Sequence, residues 1–516
     1  QENIRVGSPD GNIIFSCKLV NSAPVYSVAY KGNILIDASA LSLEFDDGKF
    51  ADHIKIRKPL LRDATEDYTL PFGKTSKVHT QYREGVLTLE ETVQPFRKVD
   101  LIVRVFNDGM AIRYHFPQQA KRSTFTLLDE NTTFRFTKDP IVHALLLPNY
   151  TTSHEGLYTH LPLSKITKDT LMDMPAVFEC KNNIYVAITE AALLDYAGMY
   201  LSKHDDVLVS KLSPLPKQNN VKVKATLPHN SPWRVMLIGD KMNALFESNI
   251  ITTLNEPCKI KDISWLKPGK TTFPWWNGNV VPDTLNAPGN NFVTAQYYID
   301  FCARNKLEYH SVVEYGLHQW YMDDGVGFQP GPHADVTTPV PGLDMKEICD
   351  YGAKLNVGIR VWVHWAALYP KLDKAFALFE QWGLKGMMID FMDRDDQEMV
   401  NIQNEMLQKA AQHHLHIQFH GAYKPTGINR TYPNEFTREG TLNYEADKWN
   451  PEGISPDHDL DIIFTRMLAG STDYHLGGFR AVPPSKFKTQ YTRPLMLGTR
   501  CHMLAMYAVL ENYLQM

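Results

Sequence analysis

The chain lacks the marks of several large protein classes. Its six cysteines (Cys17, Cys180, Cys258, Cys302, Cys349, Cys501) are scattered singly, with no CxxC pair. Neither a zinc ribbon nor a thioredoxin-like motif is therefore in view, and a disulfide is neither required nor excluded. No G-x-G-x-x-G follows a strand-like run and no G-x-x-x-x-G-K-[ST] occurs, which removes the usual nucleotide fingerprints. No stretch approaches the roughly 20 apolar residues that span a bilayer, so no membrane span is expected. Polybasic runs are absent and the formal net charge is -5, which leaves no basic face for nucleic acid. There is no internal repeat and no low-complexity tract.

What is present is an ordinary globular composition, 43% hydrophobic and 22% charged. Aromatics at 11% suffice to line sugar-sized surfaces, although cores use them too. A length of 516 residues exceeds one ordinary core, so two or more domains are expected. The chain begins at Gln1 rather than Met, as a mature N-terminus left by signal-peptide removal would, and a periplasmic or secreted protein is expected.

From Gln1 to about Lys259 the sequence reads as β structure. Short runs such as Asn12 to Val20, Val86 to Gln94, Asp100 to Phe106 and Ala111 to Phe116 are separated by turn signals at Asp47-Gly48, Asn107-Asp108-Gly109 and Pro117. Many short strands imply a β-sandwich, because an amphipathic sheet must bury one face on another. After Pro268-Gly269-Lys270 strand and helix patterns alternate: His310 to Tyr315, Met345 to Leu355, Val357 to Trp365, Asp373 to Trp382, Gly386 to Met392, Glu398 to His413, His416 to His420. That alternation argues for parallel strands with crossover helices, with an open doubly wound sheet as the rival. Arg500 to Met516 reads as a helix without a Gly or Pro stop signal.

The sharpest chemical feature is the apolar run that ends in Asp390, followed by Asp393, Asp395 and Asp396. In a (β/α)8 barrel the C-terminal strand ends supply catalytic groups, so Asp390 is expected in a pocket. Asp395 and Asp396 read as caps of the helix that follows. A second cluster holds Glu435, Arg438, Glu439 and Glu445. Like charges held close together raise one pKa, giving a general acid, or recruit a cation, for which Ca2+ with hard oxygen ligands is the natural choice. Further rim candidates are Trp320, Asp323 and Asp324, then Trp362 and His364 on one face of a strand, then the loop from His420 to Lys424. His364 reads equally well as a satisfied core histidine, and Lys424 as a solvated loop residue. Glu190 follows a strand-like run and, by itself, reads as a surface loop residue.

Taken together, Ile188-Thr-Glu-Ala with Asp195-Tyr196, Thr338 to Gly342, Val361-Trp-Val-His-Trp365, Ile389-Asp-Phe-Met-Asp-Arg-Asp395, Phe419-His-Gly-Ala-Tyr-Lys-Pro425 and Thr465-Arg-Met-Leu-Ala-Gly470 resemble glycoside hydrolase family 97. The resemblance implies an N-terminal β-sandwich (residues 1–260) followed by a catalytic (β/α)8 barrel (residues 261–516). The family's small C-terminal β domain is expected to be truncated or absent from this chain. It further implies a retaining, exo-acting α-galactosidase with Asp390 as nucleophile and Glu445 as acid/base. Ca2+ is expected on Glu190, Glu439 and Glu445, and oligosaccharide contacts from Trp320, Asp323, Asp324, Trp362, His364, Lys424 and Arg438. The alternatives are an inverting α-glucosidase, a β-L-arabinopyranosidase, or a carbohydrate-binding protein without catalysis. A monomer or small homo-oligomer is expected.

Overall fold

The computed structural model describes residues 3–218, 220–283, 288–316, 318–476 and 478–516. In the N-terminal half, period-two patterning becomes sheet. Along Ile13–Val20 the residues Ile13, Phe15 and Cys17 are buried while their neighbours are partly exposed. This strand joins Ile4–Gly7, Ala23–Tyr30 and Asn33–Ala40 in a four-stranded antiparallel sheet. It packs against a 15-stranded sheet whose central strands include Lys77–Glu91, Lys98–Phe106, Gly109–Phe116, Ile184–Ala191 and Trp233–Gly239. Phe15, Val28, Leu87, Leu101, Val103 and Ile112 fill the space between, fully buried. Each such side chain contributes about 1.5–3 kcal/mol relative to exposure.

The barrel begins with Gly269–Thr272 and continues through Tyr309–Val312, Gly358–His364, Gly386–Asp390, His416–Phe419 and Glu435–Arg438, all parallel. Strands covered on both faces must be apolar throughout, and every residue of Gly386–Asp390 is buried. Thr472 pairs in parallel with Arg438, and its N–H donates to the Glu511 carbonyl at 3.2 Å. Leu514–Gln515 pairs with Gly269–Lys270, so the sheet nearly closes. The helix expected to reach Met516 instead ends at Val509, and the residues beyond it supply this closing strand.

The crossover helices carry their own start and stop signals. Asn291, Asp344 and Asp396 accept from the N–H three residues on, capping Phe292–Asn305, Met345–Lys354 and Gln397–Gln412. Leu372–Trp382 stops at Gly383, whose φ of 94° suits a residue without Cβ. Asp395, expected as a cap, is not one. It is fully buried and accepts from Tyr200 Oη (2.8 Å) of the N-terminal domain, while its carbonyl accepts from Gly198 N (2.8 Å). Thr152 N similarly donates to the Asp393 carbonyl at 2.8 Å. These bonds hold N-terminal loops over the C-terminal rim of the barrel.

Candidate active site

Asp390 ends the fourth barrel strand, in register with His364 at the end of the third. Both therefore reach the rim where the strands stop. A cavity of about 380 Å3 opens there, walled by Asp390, Glu314, His420, Glu439 and Glu445 of the barrel and by Glu155 of the N-terminal domain. Trp275, Phe328, Trp362, Phe391, Trp449 and Tyr491 make the rest of the wall aromatic. A slightly larger hollow of about 430 Å3 lies beside the first strand, but no carboxylate lines it. Convergence of ionisable groups, rather than size, marks the site.

Asp390 Oδ2 accepts from Trp362 Nε1 at 2.8 Å and Oδ1 from the Phe391 N–H at 2.6 Å, while His420 Nδ1 stands 3.3 Å from Oδ1. Burial by itself would raise this carboxyl's pKa. The charge of His420 and the three donors outweigh burial and hold it below its usual value. Asp390 is thus an anion. Glu445 is in the opposite condition. Burial and the neighbouring carboxylates of Glu155, Asp390 and Asp473 push its pKa well up, and the opposing charge of His420 does not offset them. Two carboxyls in one cavity, one kept ionised and one kept protonated, divide a base or nucleophile from an acid.

His420 stands at the centre. Burial would neutralise it, but Glu439 and Asp390 raise its pKa well above the ordinary value, so it carries a proton and positive charge. Its Nε2 touches Glu439 Oε2 and stands 3.0 Å from Asp473 Oδ2. Glu314 is pushed up to about 7 by burial, with Asp390 adding to the shift. Lys448 donates to the Trp275 and Trp276 carbonyls (2.9 Å each), and burial lowers its pKa to about 8.

Glu155, Glu439 and Glu445 offer oxygens that all lie within 4.8 Å of one another. Hard oxygen donors so arranged fit Ca2+. Glu190, expected among the ligands, does not belong to this group. It is fully buried elsewhere, accepting from Arg234 Nη1 (2.7 Å) and Met199 N (3.1 Å) and ion-paired with Lys424. Its strand position turns it toward Arg234, which also pairs Glu130. No oxygen is left to face the cavity. Glu155 comes from the loop between strands Ile141–Leu147 and Tyr158–Pro162, where no pattern in the sequence flags it.

The other expected contacts divide sharply. Trp362 lines the cavity. Trp320 does not: it is fully buried in the barrel core and donates from Nε1 to the Trp362 carbonyl at 2.7 Å. Asp323 accepts from the N–H groups of Gly325 (2.8 Å) and Gly331 (2.9 Å), and Asp324 binds the N–H (2.9 Å) and ring (2.6 Å) of His333. These two aspartates shape the loop that carries Phe328 to the cavity wall and do not line it themselves. His364 stacks behind Phe391, ring centroids 5.4 Å apart, with burial lowering its pKa. Lys424 is consumed by Glu190. Arg438 lies between the rings of Phe419 and Tyr423, 4.4 Å from each, and pairs Glu435. Alternating residues of a barrel strand point into the barrel or out to the helices, and polar side chains bound for a buried ion pair look in sequence like those bound for a pocket.

A barrel whose strand ends bring an ionised and a protonated carboxyl to one aromatic-walled cavity belongs to the class of two-carboxylate hydrolases acting on sugars. Residues 6–257 match Glycosyl-hydrolase 97 N-terminal and residues 275–441 match Glycoside hydrolase 97. The chain is 30% identical to the "Retaining alpha-galactosidase" of Bacteroides thetaiotaomicron, over 99% of this chain and 78% of that protein. A solved family 97 enzyme of Pseudoalteromonas sp. in complex with acarbose superposes with a TM-score of 0.90 at 28% identity, covering 99% of this chain and 80% of that one. A β-arabinopyranosidase structure shares the fold, with a TM-score of 0.82 at 21% identity over 100% of this chain and 82% of that one. The chain belongs to glycoside hydrolase family 97 and is a glycosidase. Among the described residues no helix is long and apolar enough to cross a membrane.

Proposed function

We propose that the protein is a retaining, exo-acting α-galactosidase that works by double displacement on oligosaccharides. The observation that carries this reading is Asp390, an ionised carboxylate at the end of the fourth strand, sharing a cavity with the protonated Glu445. Asp390 attacks the anomeric carbon from the β face while Glu445 delivers its proton to the departing glycosidic oxygen. The bond to the leaving oxygen breaks as the ester to Asp390 forms. Glu445, now a carboxylate, takes a proton from an entering water, whose oxygen displaces Asp390 and releases the α-anomer. The Trp362 and Phe391 N–H groups aim the nucleophile, and the charge on His420 keeps it ionised. The aromatic wall suits the apolar faces of a sugar.

Ca2+ held by Glu155 and Glu439, with Glu445 at its edge, completes the proposal in place of a set containing Glu190. When bound it would neutralise the clustered carboxylates and polarise sugar hydroxyls. The retained configuration requires the two reacting carboxyls to stand roughly 5–5.5 Å apart in the working complex.

Proton NMR of the first-formed sugar from para-nitrophenyl α-galactoside, run beside the α-glucoside, tests the reading. Release of the α-anomer from the galactoside, lost in Asp390→Ala, is the expected result. A β-anomer, or a variant with undiminished rate, would move the enzyme to the inverting alternative.

A further inference from the structure

A further hollow, of about 270 Å3, lies apart from the carboxylate cavity, where the outer face of the N-terminal sheet meets the segment leading into the barrel. Its walls include Arg104 and Arg113 on neighbouring strands, Trp233 on the next strand, and Arg430 from a barrel loop. Residues 253–257 close one side.

Each arginine of this hollow is in a different condition. Arg104 donates from Nε to Glu84 at 2.7 Å. Arg430, only 8% exposed, gives Nη1 to the carbonyls of Thr253 (2.9 Å) and Asn255 (3.0 Å) and Nη2 to Glu66 at 3.2 Å, while its Nε is buried without a partner. Arg113 is half-buried, its guanidinium over the Trp233 indole at 4.5 Å from the ring centroid; its Nε is buried without a partner, and among the described residues its side chain makes neither a hydrogen bond nor an ion pair. The fully buried arginines differ from it. Arg234 is matched by Glu130 and Glu190, and Arg438 by Glu435. Arg360, which forms no ion pair among the described residues, still binds Ser311, His416 and Gln418.

A buried Nε–H without a partner costs free energy, because burial removes its hydration and nothing replaces it. Over the indole the guanidinium lines the hollow, and its forked N–H geometry suits bidentate recognition of an oxyanion. Burial and the neighbouring Arg104 press the Arg113 pKa down to about 10, which still leaves it cationic at neutral pH. The two carboxylates on the wall do not fill the role. Glu66 is taken by Arg430 and by the Tyr82 hydroxyl, and the exposed Glu256 makes no ion pair with Arg113. At roughly 30 Å3 per water, the hollow holds an oxyanion together with a solvent shell or the body of a small sugar.

We propose that this hollow is an oxyanion-binding site, with Arg113 as its principal ligand and Arg104 and Arg430 completing a cationic wall. The group recognised is a sulfate, a phosphate or the carboxylate of a sugar acid. The site is separate from catalysis.

Isothermal titration at constant ionic strength tests it, with inorganic sulfate, inorganic phosphate and galacturonate as separate titrants. Wild type should show saturable binding of at least one of them, and which one binds most tightly identifies the source of the oxyanion. Arg113→Met, which keeps an apolar side chain on Trp233, should weaken that binding at least tenfold and leave hydrolysis of para-nitrophenyl galactoside unchanged. Glu256→Gln removes a negative charge from the wall of the hollow and should tighten binding several-fold. The proposal fails if no titrant saturates wild type, or if Arg113→Met binds as well as wild type. It fails equally if Glu256→Gln leaves affinity unaltered.

Discussion

Trp362→Phe isolates the part that one hydrogen bond plays in keeping Asp390 ionised. The indole Nε1 donates to Asp390 Oδ2 at 2.8 Å, and phenylalanine keeps a smaller aromatic wall while removing that donor. A hydrogen bond to an ionised group is worth about 1.5–3 kcal/mol, so that much of the anion's stabilisation is lost. The sign follows from the direction of the native shift. The Asp390 pKa is held below the ordinary carboxylate value, so its ionised form stabilises the fold above the unfolded pKa, and this contribution is lost as pH falls through the folded pKa. Removing a donor brings the folded pKa back up. The acidic limb of kcat/KM should therefore move to higher pH, while the alkaline limb, set by the raised pKa of Glu445, stays where it is. On the plateau the rate should fall by less than about tenfold, because the lost bond favours the carboxylate ground state at least as much as the ester-like transition state. The assay is kcat/KM for para-nitrophenyl α-galactoside across the full pH range for both proteins. A large fall at every pH with the acidic limb unmoved would refute the reasoning and make Trp362 a substrate contact alone.

Three further outcomes follow from the same geometry. Glu445→Gln should slow hydrolysis of a galactoside with a poor leaving group by about 10²–10⁴, but cleavage of the para-nitrophenyl bond much less, since that leaving group needs no proton; equal losses on both would remove Glu445 as the acid. Glu155→Gln should weaken Ca2+ binding at least tenfold by titration, whereas Glu190→Gln should leave Ca2+ affinity unchanged and lower stability. The stability cost is about 3–5 kcal/mol, because Arg234 and Lys424 then lose a buried counter-charge; a Ca2+ defect in Glu190→Gln would restore the original ligand set. Trp320→Phe should cost about 1 kcal/mol in chemical unfolding through the lost bond to the Trp362 carbonyl, with KM unchanged; a raised KM at native stability would place Trp320 in the substrate site.

Much of this architecture is written locally. The alternation along Ile13–Val20 requires a sheet with one buried face, and the apolar run Gly386–Asp390 requires a strand covered on both sides. Because that run ends in a carboxylate, the barrel's geometry delivers Asp390 to the rim, and the sequence alone was enough to single it out. Glu439 and Glu445 were likewise legible, being acidic residues close together after the last long strand. The partners of these residues were not. Glu155 reaches the cavity from a loop of the other domain, and nothing in its neighbours distinguishes it from a solvated glutamate. Glu190 and Arg438 carry the charges expected of a site, yet each is neutralised in a buried pair by a residue on another element. Periodicity records which side of a strand is buried; whether a buried charge meets a counter-ion or a cavity depends on chain segments far away, and only the tertiary structure brings those together.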